Sequence, residues 1–304
     1  MAEKQENTNN DKSGDELVEQ RFHMLEDIAR DLAGEVVFPT CFDTALRLRK
    51  EMQNPDLPIS RIVDIVSLEP LIAAKLMQMA NSALYCLNGM PVRTLQGAIS
   101  RLGINLVRTT ALAIAIGQLM RSKEMVQFSG IAHSLWEHSI KTAVAARALA
   151  GAYTRINPDE ALLAGLVHDL GAFYMLYRAV QYTELTARPE TLKHLIVQWH
   201  ESIGVSLLCA LGLPEDIVNS SIDHDQPRGL PESVRSLSDI VYIANVLAGA
   251  HFEWLFQDFD PEEGEAGEIH RKFADLMPGI EADFLEMKAA FGQGEAGGRS
   301  GRKE

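Results

Sequence analysis

The feature that most constrains this chain is a succession of apolar stripes at helical spacing through its middle. Ala45, Leu48 and Met52 fall at i, i+3, i+7, and Ile62, Ile65 and Val66 repeat the pattern. Ile72, Leu76 and Met79 follow at i, i+4, i+7, then Leu95, Ile99 and Leu102. Beyond them come Leu162, Leu163, Leu166 and Leu170, then Leu207, Leu208 and Leu211, and last Val241, Ala244 and Ala248. Residues three or four apart share one face of a helix, so each group is the stripe that a helix buries against a core. Pro and Gly punctuate the series in NPDLP, NGMP, RINPDE, GLPED and DQPRGLPE, where one helix stops and the next begins. No stretch sustains a period-two alternation, so no strand is expected. The pattern predicts an all-α fold.

The segment MRSKEMVQFSG divides this core into an N-terminal helical lobe over about residues 20–125 and a second lobe over about 130–250. Residues 1–19 are polar and Asn-rich and carry too little apolar surface to offset chain entropy, so disorder is expected there. Residues 292–304, rich in Gly and charge, are expected to behave likewise. Between them, residues 251–291 hold an acidic loop (DFDPEEGEAGE) and then Phe273, Leu276, Ile280, Phe284 and Met287 at roughly helical spacing, interrupted at Pro278 and Gly279.

Charge and cysteine content exclude several classes. The 28 basic residues stand against 42 acidic ones, a formal charge of −14. A nucleic-acid surface needs a basic patch to replace phosphate counterions, and an anionic membrane repels such a chain, so neither partner is expected. Cys41, Cys86 and Cys209 are an odd number at wide spacing, without a C-x-x-C pair, as in a reducing compartment. The N-terminus has no apolar signal-like run, and the best apolar stretch, Ala111 to Met120, is far short of a membrane span of ~20 residues. The expected location is the cytoplasm.

The chemistry concentrates in the second lobe. His138, His168 with Asp169, His200 and His224 follow one another at intervals of 30, 32 and 24 residues. Each interval is long enough for a helical hairpin to leave and return, so four helix ends are expected to converge. Neutral imidazoles with a carboxylate suit a first-row transition ion, and a carboxylate can bridge two of them. Taken alone, His168-Asp169 also reads as a helix C-terminus, with Gly171 ending the helix. In the first lobe, Asn81, Ser82 and Tyr85 are polar groups at an apolar helix end. They either line a groove between the lobes, as ligand-binding residues, or terminate the helix through side-chain-to-backbone bonds.

With these residues in view, the second lobe resembles the HD superfamily of metal-dependent phosphohydrolases. The resemblance is closer to the HDOD domain, the HD-related output domain of bacterial signalling proteins, over about residues 30–250. It rests in the first lobe on FPTCFDTALRL, NPDLPISRIVDIVSLEPLIAAKLMQMANSALY and VRTLQGAISRLGINLVR, above all on KLMQMANSALY (Lys75–Tyr85). In the second it rests on LWEHSIKTA, LLAGLVHDLGAF, HESIGVSLLCALGLPEDIV, DHDQP and IVYIANVLAG. The resemblance implies a metal set of His138, His168, Asp169, His200, His224 and Asn245 for a divalent transition ion (Mn, Fe, Ni or Zn). Were the site active, Asp169 and His168 would be its catalytic residues.

The chain departs from that pattern at three positions. Asp225 stands where a second histidine is expected, Asn245 where the closing aspartate is, and Ala172 where cyclic-dinucleotide-cleaving relatives carry lysine. Asn245 removes one unit of ligand charge, and Ala172 removes a cation that could neutralise phosphate. The reading that results is a signal-transduction output module, non-catalytic and acting through a nucleotide-like ligand or a signalling protein partner. The alternatives are a divalent-metal phosphohydrolase acting on nucleotides or cyclic dinucleotides, and a helical adaptor without a small-molecule site.

Overall fold

Residues 15–33, 42–51, 54, 57–86, 90–120, 122–249 and 264–291 are described in a computed structural model. Among them every regular element is helical. The order is α1 (Asp15–Ala33), α2 (Asp43–Glu51), α3 (Ile59–Ser67), α4 (Pro70–Ala80), α5 (Leu95–Met120), a 3₁₀ segment (Lys123–Phe128), α6 (Ser129–Tyr153), α7 (Pro158–Val167), α8 (Leu170–Ala179), α9 (Thr183–Thr186), α10 (Pro189–Ala210), α11 (Glu215–Ser220), α12 (Leu237–Leu247), α13 (Gly264–Lys272) and α14 (Met277–Ala290).

The helices start where local chemistry favours a start. Pro occupies the first turn of α4, α7, α10 and α14, where its missing N–H costs nothing. Asn157 caps α7 by accepting from the Asp159 N–H at 2.9 Å, and Ser236 with Asp239 forms a reciprocal capping box on α12. The stripes read from the sequence are the buried faces: Ile62, Ile65 and Val66 on α3, Ile72, Leu76 and Met79 on α4, Leu162, Leu163 and Leu166 on α7.

Helix α5 joins the two groups of helices. It breaks at Gly103 (φ 77°, ψ 162°), and it packs against α2, α3 and α4 on one side and α6, α7 and α8 on the other. It has the length and apolar composition of a membrane span, yet 72% of its most apolar window is buried inside the protein, as in a core helix.

Three local expectations are corrected. Helix α1 starts at Asp15, inside the stretch expected to be disordered, because Leu17, Met24 and Ile28 bury one face completely. That face lies on α8, α9 and α10, so α1 docks on the second group of helices. Arg178 and Tyr182 bond Asp31 and Asp27 across this contact, and the Glu184 N–H donates to Gln20 at 2.9 Å. The dividing segment at 120–130 is likewise built into the protein, because Met125 and Phe128 of the 3₁₀ segment are buried. Toward the C-terminus, Pro278 lies in the first turn of α14 rather than between two fragments. Helix α14 lies on α6, with Phe291 edge-on to Trp136 at 6.1 Å. The acidic loop lies mostly outside the described residues, as do Cys41 and the expected tails at 1–14 and 292–304.

Candidate metal centre

His168 and Asp169 are the junction between α7 and α8. Helix α7 ends at Val167, Asp169 takes the N-cap position of α8 (φ −100°, ψ 17°), and its carboxylate makes no capping bond. The helix-terminus reading therefore fails at Gly171, which is buried inside α8 and ends nothing.

Two glycines bring this junction to its partners. A Cβ on Gly165 would lie 2.8 Å from the Ala143 Cα, so α7 can approach α6 only without one. A Cβ on Gly171 would lie 1.9 Å from the His200 carbonyl oxygen, which sets the same condition on α8 and α10. His138 is in the middle of α6 and His200 in the middle of α10. The expected convergence of four helix ends is thus two mid-helix histidines facing a helix junction, with His224 beyond α11 completing the set.

The Asp169 carboxylate lies between two histidine pairs. Its Oδ2 is 3.3 Å from His168 Nε2 and 3.9 Å from His138 Nε2. Its Oδ1 is 3.2 Å from His224 Nε2 and 3.6 Å from His200 Nε2. Within each pair the Nε2 atoms are 3.3 Å apart. Two three-residue groups result, His138/His168/Asp169 and Asp169/His200/His224, each with ligand atoms within 4.8 Å of one another. No residue of the cluster is more than 8% exposed.

The tautomers are set by the backbone. Nδ1 of His168, His200 and His224 lies 2.7, 2.8 and 2.8 Å from the carbonyls of Gly165, Ile196 and Ser221. A carbonyl only accepts, so each Nδ1 carries the proton and Nε2 of the neutral ring presents its lone pair to the cluster. Burial lowers the His168 pKa to about 4, against the pull of Asp169, so His168 is neutral near pH 7. Burial also opposes charge on His224, but Asp225 and Asp169 outweigh it and raise its pKa to about 10. Without a metal, a positive charge therefore sits between these two carboxylates.

Asp225 is the cluster residue that the sequence-derived metal set omits. Its Oδ2 lies 3.4 Å from His200 Nε2 and 3.6 Å from His224 Nε2, a second carboxylate for the second group. The signal was its place after His224, at the position of the pattern's second histidine. Asn245, buried on α12, donates from Nδ2 to Asp225 Oδ1 at 2.8 Å and to the His224 carbonyl at 3.1 Å. It holds the His224–Asp225 pair in place. A cavity of about 10 Å³, room for about one water, is bordered among the described residues by Asp169, Ala172, His200 and Asp225.

The first-lobe residues are elsewhere. Asn81 is the C-cap of α4, and its side chain both accepts from and donates to the Val92 backbone, at 2.7 and 3.0 Å. The side chain thus ties the end of α4 to the segment before α5 instead of capping the helix. Asn81, Ser82 and Tyr85 border a cavity beside α14.

The chain belongs to the HDOD domain family, whose model matches residues 38–227. The span includes every cluster residue except Asn245. Among solved structures it is similar to a Shewanella amazonensis SB2B protein described as a candidate metal-dependent phosphohydrolase, at 22% identity, 90% of this chain, all of the other and a TM-score of 0.68. It is also similar to an HDOD domain protein of unknown function from Geobacter sulfurreducens, at 20% identity over 89% of this chain and 99% of the other, with a TM-score of 0.55. These likenesses show the fold. An uncharacterized protein from Treponema pallidum (strain Nichols) is 27% identical over 217 residues, which is 66% of this chain and 40% of that relative's length.

Proposed function

We propose that this chain is a regulatory module of the bacterial signal-transduction type, which holds a divalent transition metal in its His/Asp cluster and acts through binding rather than turnover. The carrying observation is Asp169, placed between two imidazole pairs in which backbone-tied Nδ1 atoms of His168, His200 and His224 turn Nε2 inward. His138, His168 and Asp169 would hold one ion, and His200, His224, Asp169 and Asp225 a second. Mixed imidazole and carboxylate donors fit Mn, Fe, Ni or Zn.

A bound ion of this kind supplies Lewis-acid polarisation of a phosphoryl oxygen and acidification of a bound water. What supports binding over hydrolysis is access. The space beside the cluster admits about one water, whereas small-molecule sites are usually clefts of ~300–1,000 Å³. Ala172, which borders that space, offers no cation to a phosphate. The residues that would hold a metal come from α6, the α7–α8 junction, α10 and the segment after α11, so its binding would couple how these helices pack. A signalling protein reading that packing in the cytoplasm is the partner the module would serve.

The test is turnover of bis-(p-nitrophenyl) phosphate and of cyclic dinucleotides by Mn²⁺-loaded protein beside Asp169→Ala. The proposal expects neither protein to exceed the metal-only rate. Turnover that Asp169→Ala abolishes would instead make the chain a phosphohydrolase.

A further inference from the structure

A second cavity bordered by described residues is remote from the His/Asp cluster in sequence and lining. About 560 Å³ in volume, it lies between the end of α4 and the outer part of α14. Its walls are Met77, Met79, Leu84, Met287 and Ala289, with the Tyr85 ring, so three thioethers meet an aromatic and aliphatic surface. Unbranched Met side chains adapt to ligands of varied outline and favour aromatic contacts. The volume falls inside the usual range for small-molecule sites of ~300–1,000 Å³.

Three polar groups in that wall, the Ser82 and Tyr85 hydroxyls and the Glu286 carboxylate, make no hydrogen bond or ion pair among the described residues. The neighbouring cations are engaged elsewhere. Arg147 stacks over the Tyr85 ring at 4.8 Å and faces Asp159 at 3.8 Å. Lys288 pairs with Glu137, and Lys75 donates to Gln78 at 3.3 Å. Glu286 is the one charged residue among the described residues that line the cavity, with Asp283 one turn away on the same helix. An anion is therefore disfavoured there, nucleotides included, and a cation is favoured.

We propose that the α4–α14 cavity is a binding site for a small amphipathic cation, an apolar or aromatic body among the three methionines and an ammonium group facing Glu286. This site is independent of metal binding and of any turnover at the His/Asp cluster.

The experiment compares two probes of similar aromatic body and opposite charge, 1-naphthylmethylamine and 1-naphthylacetate, by calorimetry on the full chain. The amine is expected to bind at least tenfold more tightly than the acetate. Glu286→Gln should weaken the amine about fivefold, the effect of one partly exposed charge. Ala289→Trp, at an exposed helical position, should fill the space and abolish binding. Equal affinity for both probes, no binding of the amine, or binding that survives both substitutions would overturn the assignment. Glu286→Gln changes no packed volume, so it tests the site even if Ala289→Trp misfolds.

Discussion

Gly171→Ala offers a stringent test of how the cluster is assembled. The new Cβ would lie 1.9 Å from the His200 carbonyl oxygen and 2.6 Å from the Gly204 nitrogen. Both are backbone atoms, so no side chain can rotate away. Restoring even a close C–H···O contact of ~3.3 Å requires α8 and α10 to separate by more than an ångström. Overpacking of this kind typically costs ~1–3 kcal/mol, and rigid backbone on both sides places Gly171→Ala at the upper end. The separation also moves His200 away from Asp169, whereas ligand distances tolerate only ~0.2 Å. The control is Gly204→Ala on the facing helix, where the nearest atom to the new Cβ is the Gly171 nitrogen at 3.4 Å, an ordinary contact. In mid-helix this change gains up to ~1 kcal/mol of helix propensity. Urea denaturation should therefore show Gly171→Ala less stable than the parent by about 3 kcal/mol, and Gly204→Ala equal or better. Elemental analysis should show a matching loss of metal in Gly171→Ala alone. Equal stability and equal metal content in the two variants would refute the close-approach argument.

Three further outcomes follow from the same geometry. His224 carries a proton up to about pH 10 in the metal-free protein, held by Asp225 and Asp169 against burial. Metal must displace it, so apparent affinity for Mn²⁺ or Zn²⁺ should rise by roughly tenfold per pH unit between about pH 7 and 9, with proton release seen by calorimetry in buffers of different ionisation enthalpy; a flat profile would contradict that protonation state. Asn245→Asp would replace the Nδ2 donor at 2.8 Å from Asp225 by a second carboxylate. The metal-free protein should lose ~1–3 kcal/mol while the melting-temperature gain on adding metal grows, and a variant as stable as the parent without metal would speak against the donor role of Asn245. Arg178→Ala removes the α8 partner of Asp31 on α1. At this partly exposed contact about 1 kcal/mol should be lost, and hydrogen exchange in α1 should accelerate while α10 is unaffected.

Much of the fold is legible in the sequence because a buried helix face is a local, periodic signal. Ile62, Ile65 and Val66 or Ile72, Leu76 and Met79 announce their own burial. What is not local is not legible. Leu17, Met24 and Ile28 have a face to bury, but nothing in their spacing says that it lies on α8, α9 and α10, more than a hundred residues away. The same holds for the candidate site. The residue types and long intervals of His138, His168, Asp169, His200 and His224 point to convergence, and the structure brings them together. Their interval lengths do not tell a mid-helix position from a helix end, and His138 and His200 prove to be mid-helix. Asp225 and Asn245 read as two separate departures from a pattern. In the fold they are hydrogen-bonded to each other, so the neutral amide positions a carboxylate beside His200 and His224. The α4–α14 cavity is built by helices some two hundred residues apart, and no sequence pattern announces it.

Metal content of the purified chain, by elemental mass spectrometry beside a His168→Ala/Asp169→Ala control, tests the central claim most directly. The arrangement of Asp169 between two histidine pairs predicts a near-stoichiometric transition metal in the parent and its loss in the control. No metal in either protein, even after Mn²⁺ loading, would contradict it.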